Sequence, residues 1–181
     1  ALAEAQDAQH SYVTDIQQKA EQILTQSRRE GRLTILLAGR PYHTDPLIQH
    51  KLSEMIAALG VNVISDDIVR GNTKIEAGDT CLVRQWAYMN RLIKAGQWCA
   101  EQPFDVHYVQ MTSFGCGPDS FIQDEIRTIM KNHGKPYTLL KIDDVSNIGS
   151  LKLRVRSLIE SLSEQKQNDH TPKEQKQEHI K

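Results

Sequence analysis

The feature that most constrains this chain is an alternation. Four short apolar runs are each followed by a helical stretch, with glycine or proline marking most of the joins. Leu33–Ala38 is a short apolar run with a glycine behind it, the pattern of a strand buried on both faces, and Val61–Ile64, Val106–Met111 and Tyr137–Ile142 read as the second, third and fourth strands. Between them, Leu47–Leu59 places Leu52, Met55, Ile56 and Leu59 on one side and stops at Gly60. Gly71–Gly78 reads as loop, and Asp79–Ala100 as a longer helix bearing Trp86, Met89, Ile93 and Trp98. Pro118 opens a helix to about His133, with Phe121, Ile122, Ile126, Ile129 and Met130 as its core face. After the last run, Asn147–Leu162 repeats Ile148, Leu151, Val155, Leu158, Ile159 and Leu162 at helical spacing. Strands joined through helices pair in parallel, with helices on both faces of the sheet. Right-handed crossovers then predict a three-layer α/β fold, doubly wound in the flavodoxin or Rossmann manner, with strand order 2-1-3-4.

An extra helix precedes the sheet. Asp7–Glu30 lacks glycine and proline and carries Val13, Ile16, Ala20, Ile23 and Leu24 as a narrow stripe, with Gly31 as its stop. The organisation expected is therefore a helix over 1–31 packed on the domain, an α/β domain over 32–162, and a tail over 163–181. In that tail Gln, Lys, Glu, His and Asn leave almost nothing apolar to bury, which predicts disorder. At 181 residues one domain with a substantial core is the natural reading, and a formal net charge of -1 offers no general attraction to nucleic acid or to an anionic membrane. No apolar run approaches the ~20 residues of a membrane span, and Ala1–His10 has acidic residues and glutamine where a secretory signal would be apolar. Three cysteines at irregular spacing argue for a reducing, cytoplasmic setting rather than a disulfide framework. A first residue of Ala suggests a piece of something longer.

In a doubly wound sheet, ligands bind beyond the carboxyl ends of the strands, where the strand order reverses. With order 2-1-3-4 that point lies between the first and third strands, which selects the loops Gly39–His43 and Ser113–Asp119. In the second, Cys116 stands between Gly115 and Gly117 just before a helix. The glycines let backbone approach a ligand closely, and the helix start favours an anion or a thiolate. A thiolate serves metal ligation or nucleophilic attack, while the plainer alternative is a small cysteine in a tight turn. In the first loop, Arg40 could hold a phosphate or carboxylate and His43 could donate a hydrogen bond or a proton, against the alternative of a solvated surface turn stiffened by Pro41 and Pro46. Ser113 lines the same cleft. Weaker candidates are Asp66 and Asp67 past the second strand, and Asp143, Asp144, Ser146 and Asn147 past the fourth, which at least cap a helix. Trp86, Tyr88, Asn90 and Arg91 share one side of the long helix, with Trp86 in the core, and Arg154 and Arg156 belong to the surface. Cys81 and Cys99 fall inside the long helix and read as packing. There is no P-loop, no nucleophile elbow, no phosphatase loop and no histidine pair at zinc spacing.

These residues form an ordered series: Gly39-Arg40-Pro41-Tyr42-His43 with Asp45-Pro46, then Trp86 and Arg91, Ser113-Phe114-Gly115-Cys116-Gly117-Pro118-Asp119, Lys141-Ile142-Asp143, and Arg154–Leu158. From about Leu33 to Leu162 the series resembles the C-terminal part of acyl-CoA dehydratase activase-related proteins, which is similar to the iron–sulfur subunits of 2-hydroxyacyl-CoA dehydratases. The resemblance implies that Cys116 ligates a [4Fe–4S] cluster used in electron transfer or radical dehydration. Arg40, His43, Ser113, Gly115 and Gly117 would lie around it. It implies an acyl-CoA as a ligand of the larger assembly, while the charge balance and the lack of a long apolar run argue against nucleic acid or membrane as partner. Thiolate ligation of such a cluster takes several cysteines, so the others would come from further domains of a longer parent chain or from a partner subunit, and this chain alone would be metal-free and inactive. Two other readings of the same residues stay open: a flavodoxin-like module binding a phosphate-bearing ligand through Arg40 and the helix start, and a non-catalytic assembly domain.

Overall fold

The structure is a computed structural model that describes residues 1–71, 86–103, 105–113, 115–142 and 148–170. Cys81, Phe114, Asp143, Asp144, Ser146 and Asn147, and most of the loop and helix read over Gly71–Arg84, lie outside the described residues. The elements in order are α1 (Leu2–Glu30), β1 (Thr34–Ala38), α2 (Leu52–Ala57), β2 (Asn62–Ser65), α3 (Ala87–Glu101), β3 (Val106–Thr112), α4 (Gly117–Asn132), β4 (Tyr137–Lys141) and α5 (Ile148–His170). The four strands form one all-parallel sheet in the order β2-β1-β3-β4, as the alternation predicts. Leu36 lies between Ile64 of β2 and Tyr108 of β3, and Ala38 lies beside Gln110.

Residues 1–146 and 147–181 form two separate compact units. In the first, the central strands are wholly buried. One face of the sheet presents Leu36, Ala38, Ile64, Val106 and Tyr108 to a core built from Leu24 of α1, Leu92 and Ile93 of α3, and Ile122, Ile126 and Met130 of α4. Gly96 lets α3 and α4 meet closely, since a Cβ there would sit 3.1 Å from the Ile126 side chain. By the alternation of a strand, Ile35, Leu37, Val109 and Met111 turn to the opposite face. α2 packs along β2 with Leu52 and Ile56 buried. In the second unit, α5 carries the regular apolar spacing and continues to His170. It runs through eight residues for which the loss of apolar character predicts a disordered tail, because the Glu, Gln and Lys there are good helix formers.

Three local expectations are corrected. The helix expected to begin at Leu47 begins at Leu52: Asp45 Oδ1 accepts from the amides of Leu47 and Ile48, at 2.8 and 3.3 Å, and so closes a turn, and His50 and Lys51 adopt positive φ of 52° and 57°. Trp86, read as core, is 53% exposed, because it is the extended residue that precedes α3 and not part of its buried stripe. Phe121, read on the core face of α4, is 66% exposed; the helix buries Ile122, Ile126 and Met130, which recur every fourth position and leave Phe121 outside.

Lys135 is an interior cation with a complete set of acceptors. Its Nζ donates to the carbonyls of Cys99, Pro103 and Val106 at 2.6, 3.0 and 3.2 Å, tying the end of α3 to the start of β3 from the approach to β4. An apolar side chain of similar length would remove one donor from each of three carbonyls and leave them with a single partner apiece, from Gln102 N, Val106 N and Cys99 Sγ. Lys135→Met is expected to destabilise the fold by about 2–4 kcal/mol, read as a lower urea midpoint at unchanged m-value.

Candidate functional site

The loops after β1 and β3 meet where the strand order reverses, and three contacts join them. Arg40 donates from Nε and Nη2 to Asp119 Oδ1 at 3.0 and 2.7 Å. Its Nη2 also donates to Cys116 Sγ at 3.2 Å. His43 Nε2 and Ser113 Oγ are 2.8 Å apart. Behind them, Thr112 Oγ1 donates to Asp119 Oδ2 at 2.9 Å, so both oxygens of a carboxylate that is only 1% exposed are used within the protein. The carboxylate that Arg40 was expected to hold is the protein's own.

The local sequence explains how each side chain reaches its place. Pro41 starts a short 3-10 turn, Pro41–Thr44, which turns His43 back under the loop. There the Arg40 backbone N–H donates to His43 Nδ1 at 3.1 Å. With Nδ1 accepting, the neutral ring carries its proton on Nε2 and donates it to Ser113 Oγ. Burial holds His43 below the usual imidazole range: Asp119 pulls the other way, and Arg40 adds to the lowering. Gly39 is required by this packing, since a Cβ on it would lie 2.6 Å from His43 Nδ1.

His43 therefore does not line an open cleft as read from sequence. It is 0% exposed and locks the two loops together. Because its Nε2 bears the proton toward Ser113, the pair is not a base activating a hydroxyl nucleophile. Cys116, by contrast, is partly exposed and stands at the N-cap position of α4, without a side-chain capping hydrogen bond. Among the described residues, a Cβ on Gly115 or on Gly117 would meet nothing within 4 Å.

A second charged group supports the first loop from the β2 side. Gly39 N–H points to Asp66 Oδ1 at 3.4 Å, and Arg91 of α3 pairs with Asp66 at 2.6 Å and Asp67 at 3.1 Å. Burial pushes the Asp66 carboxyl up to about 6 against the pull of Arg91. Cys99 lies in the core with its thiol toward the Val106 carbonyl at 3.7 Å, and burial pushes that thiol up to about 12, which makes it a packing residue and not a ligand. Among the described residues no group of three or more His, Cys, Asp or Glu side chains could hold a metal ion. Thr112 and Asp119 are the participants that sequence reasoning passed over. In sequence Asp119 is only the end of the second loop, and its burial reveals the pairing.

Two outcomes follow. Gly39→Ala should cost about 1–3 kcal/mol in the wild type and clearly less in a His43→Ala background, a coupling measured by a double-mutant cycle in urea. The depressed imidazole gives a definite pH sign. The unfolded chain takes up a proton at its ordinary value near 6.5 while the folded protein does not, so the stability due to neutral His43 is complete above about 6.5 and is lost as pH falls below it. The stability difference between wild type and His43→Gln should shrink between about pH 7 and pH 5, and nitrogen NMR of His43 should show the Nε2–H tautomer.

Among the described residues no helix is long and apolar enough to cross a membrane. No curated protein and no solved structure matches the chain. Residues 1–69, from α1 through β1, the Arg40 loop and β2 to the turn that bears Asp66, match the family model described as the CoA enzyme activase uncharacterised domain. Over that stretch the chain is consistent with activase-related proteins of CoA enzymes.

Proposed function

We propose that this chain is a domain of an activase-related protein of the 2-hydroxyacyl-CoA dehydratase kind, in which Cys116 supplies one thiolate to a [4Fe–4S] cluster completed by ligands outside the chain. The observation that carries the reading is the setting of Cys116: a partly exposed residue at the point where strand order reverses, at the N-cap position of α4, with its sulfur accepting a hydrogen bond from Arg40 at 3.2 Å.

The described residues fit one ligand position and no more. Cys99 is sealed in the core, and four thiolates are the usual complement. Bound there, a cluster would supply one-electron chemistry. The chain's own contribution is to present a single sulfur on a braced loop, with the helix start and the Arg40 guanidinium offsetting negative charge. A phosphate-binding module is the lesser reading, because Nε and Nη2 of Arg40 already hold Asp119. A reducing cytoplasm and an acyl-CoA as ligand of the larger assembly accompany the leading reading.

Anaerobic reconstitution of the full-length protein with ferrous iron and sulfide tests it. Visible absorbance and bound iron should appear in the wild type, persist in Cys99→Ala and disappear in Cys116→Ala. Iron retained by Cys116→Ala would refute the ligand role.

A further inference from the structure

We propose that His50 and Lys51 form a two-state hinge, at which a broken helix straightens and releases the loop that carries Arg40 and His43. The inference is independent of the cluster reading. Asp45 and Pro46 make a complete helix start. Asp45 is extended, with φ −71° and ψ 124°, its Oδ1 accepts from the amides of Leu47 and Ile48, and Pro46 takes the first helical position. The turn so begun ends at once. His50 N–H donates to the Leu47 carbonyl at 3.2 Å and Lys51 N–H to the Pro46 carbonyl at 2.8 Å, the paired bonds that close a helix on a left-handed residue. Glycine ordinarily takes that place; here it is His50 at φ 52°, followed by Lys51 at φ 57°, after which α2 begins at Leu52. Among the described residues no other residue but glycine has positive φ. A Cβ disfavours this region on the order of tenfold in population at each position, and such strain lasts only where the surroundings enforce it.

The alternative is one continuous helix from Pro46, which the apolar spacing from Leu47 also predicts. In it the His50 and Lys51 amides would exchange their two acceptors, Leu47 and Pro46. Leu52 N–H would pass from the Gln49 carbonyl to that of Ile48, and Ser53 N–H from Gln49 Oε1 to the Gln49 carbonyl. No backbone donor is lost and two left-handed residues relax. Ile48, 42% exposed in the broken form, would come into line with the buried Leu52 and Ile56, one turn apart. The cost falls on the preceding loop. Adding residues 45–51 to α2 would lengthen it by about 10 Å. Gln49 would give up Ser53 and the Thr44 carbonyl, which its Nε2 meets at 3.5 Å. Asp45 lies just past His43, and its amide is held by the Tyr42 carbonyl at 3.2 Å. Straightening therefore draws the Pro41–Thr44 turn along and takes His43 from its slot beneath Gly39. The two features hold one another: the fit of Arg40 and His43 to Asp119 and Ser113 enforces the strained break, and losing that fit yields the straight helix.

Two double variants of the purified protein bias the hinge in opposite directions. His50→Gly/Lys51→Gly removes the left-handed cost and should raise the urea midpoint, the reverse of what glycine does inside a helix. His50→Val/Lys51→Val makes the left-handed region worse and should favour the straight helix. Wild type should show millisecond NMR exchange over residues 40–53, with helical carbon shifts at residues 45–51 in the minor state. The glycine pair should abolish that exchange. The valine pair should raise the minor population, and with it hydrogen exchange at His43 Nε2–H and Arg40 Nε–H, roughly tenfold. A glycine pair with a lowered midpoint would overturn the hinge, as would coupling constants that put His50 and Lys51 at negative φ in wild type. So would a valine pair that leaves the His43 and Arg40 side-chain protons as slow as in wild type. If the valine pair fails to fold, the glycine pair still decides, by its midpoint and its loss of exchange.

Discussion

The pairing of Arg40 with Asp119 is the interaction on which the site depends. Asp119 is almost fully buried at the start of α4, where an unpaired carboxylate would be costly. Arg40 approaches from the far side of the reversal point, so the electrostatic demand of one loop fixes the position of the other. Thr112 satisfies the second carboxylate oxygen, and the same guanidinium reaches Cys116. The thiol is thus held by a chain of contacts that begins in the sheet itself.

The buried histidine adds a neutral lock beside the charged one. Gly39, His43 and Ser113 interlock by shape and by one hydrogen bond, and burial keeps the imidazole uncharged. The two devices respond differently to conditions. The ion pair is only partly shielded, with the Arg40 side chain 23% exposed, so salt weakens it somewhat; the histidine lock is insensitive to salt and fails in acid. On the β2 side, Asp66 titrates the opposite way: its raised folded value favours folding in acid, and that contribution is lost as pH rises from about 4 through about 6. Of these two shifted groups, His43 is the one whose contribution is lost in acid.

Sheet order and the meeting of the two loops were legible because they follow from periodicity and handedness, which the order of residues encodes directly. Leu33–Ala38 and Val106–Met111 could be little other than buried strands, and two such strands adjacent and parallel bring their following loops together. The roles within the loops were much less legible. His43 and Cys116 look equally functional in sequence, yet one is sealed and the other partly open. The difference arises from a turn set by Pro41 and a missing Cβ on Gly39, and periodicity does not report either. Trp86 and Phe121 failed for a related reason: a large apolar residue at a helix start is counted toward the core, whereas helix starts in this fold lie at the edge where the core ends.

The family match adds an asymmetry. It covers Arg40, His43 and Asp66 and stops well before Cys116, so it takes in the supporting half of the site and leaves out the thiol. The two halves are nevertheless physically inseparable. Arg40 without Asp119 would be an ordinary half-solvated cation, and Asp119 without Arg40 a stranded buried charge. His43 without Ser113 would lose the acceptor for its Nε2–H. A chain that keeps the first loop in this form has reason to keep Thr112, Ser113 and Asp119 in theirs, and Cys116, which the same guanidinium reaches, is partly exposed where those three are buried.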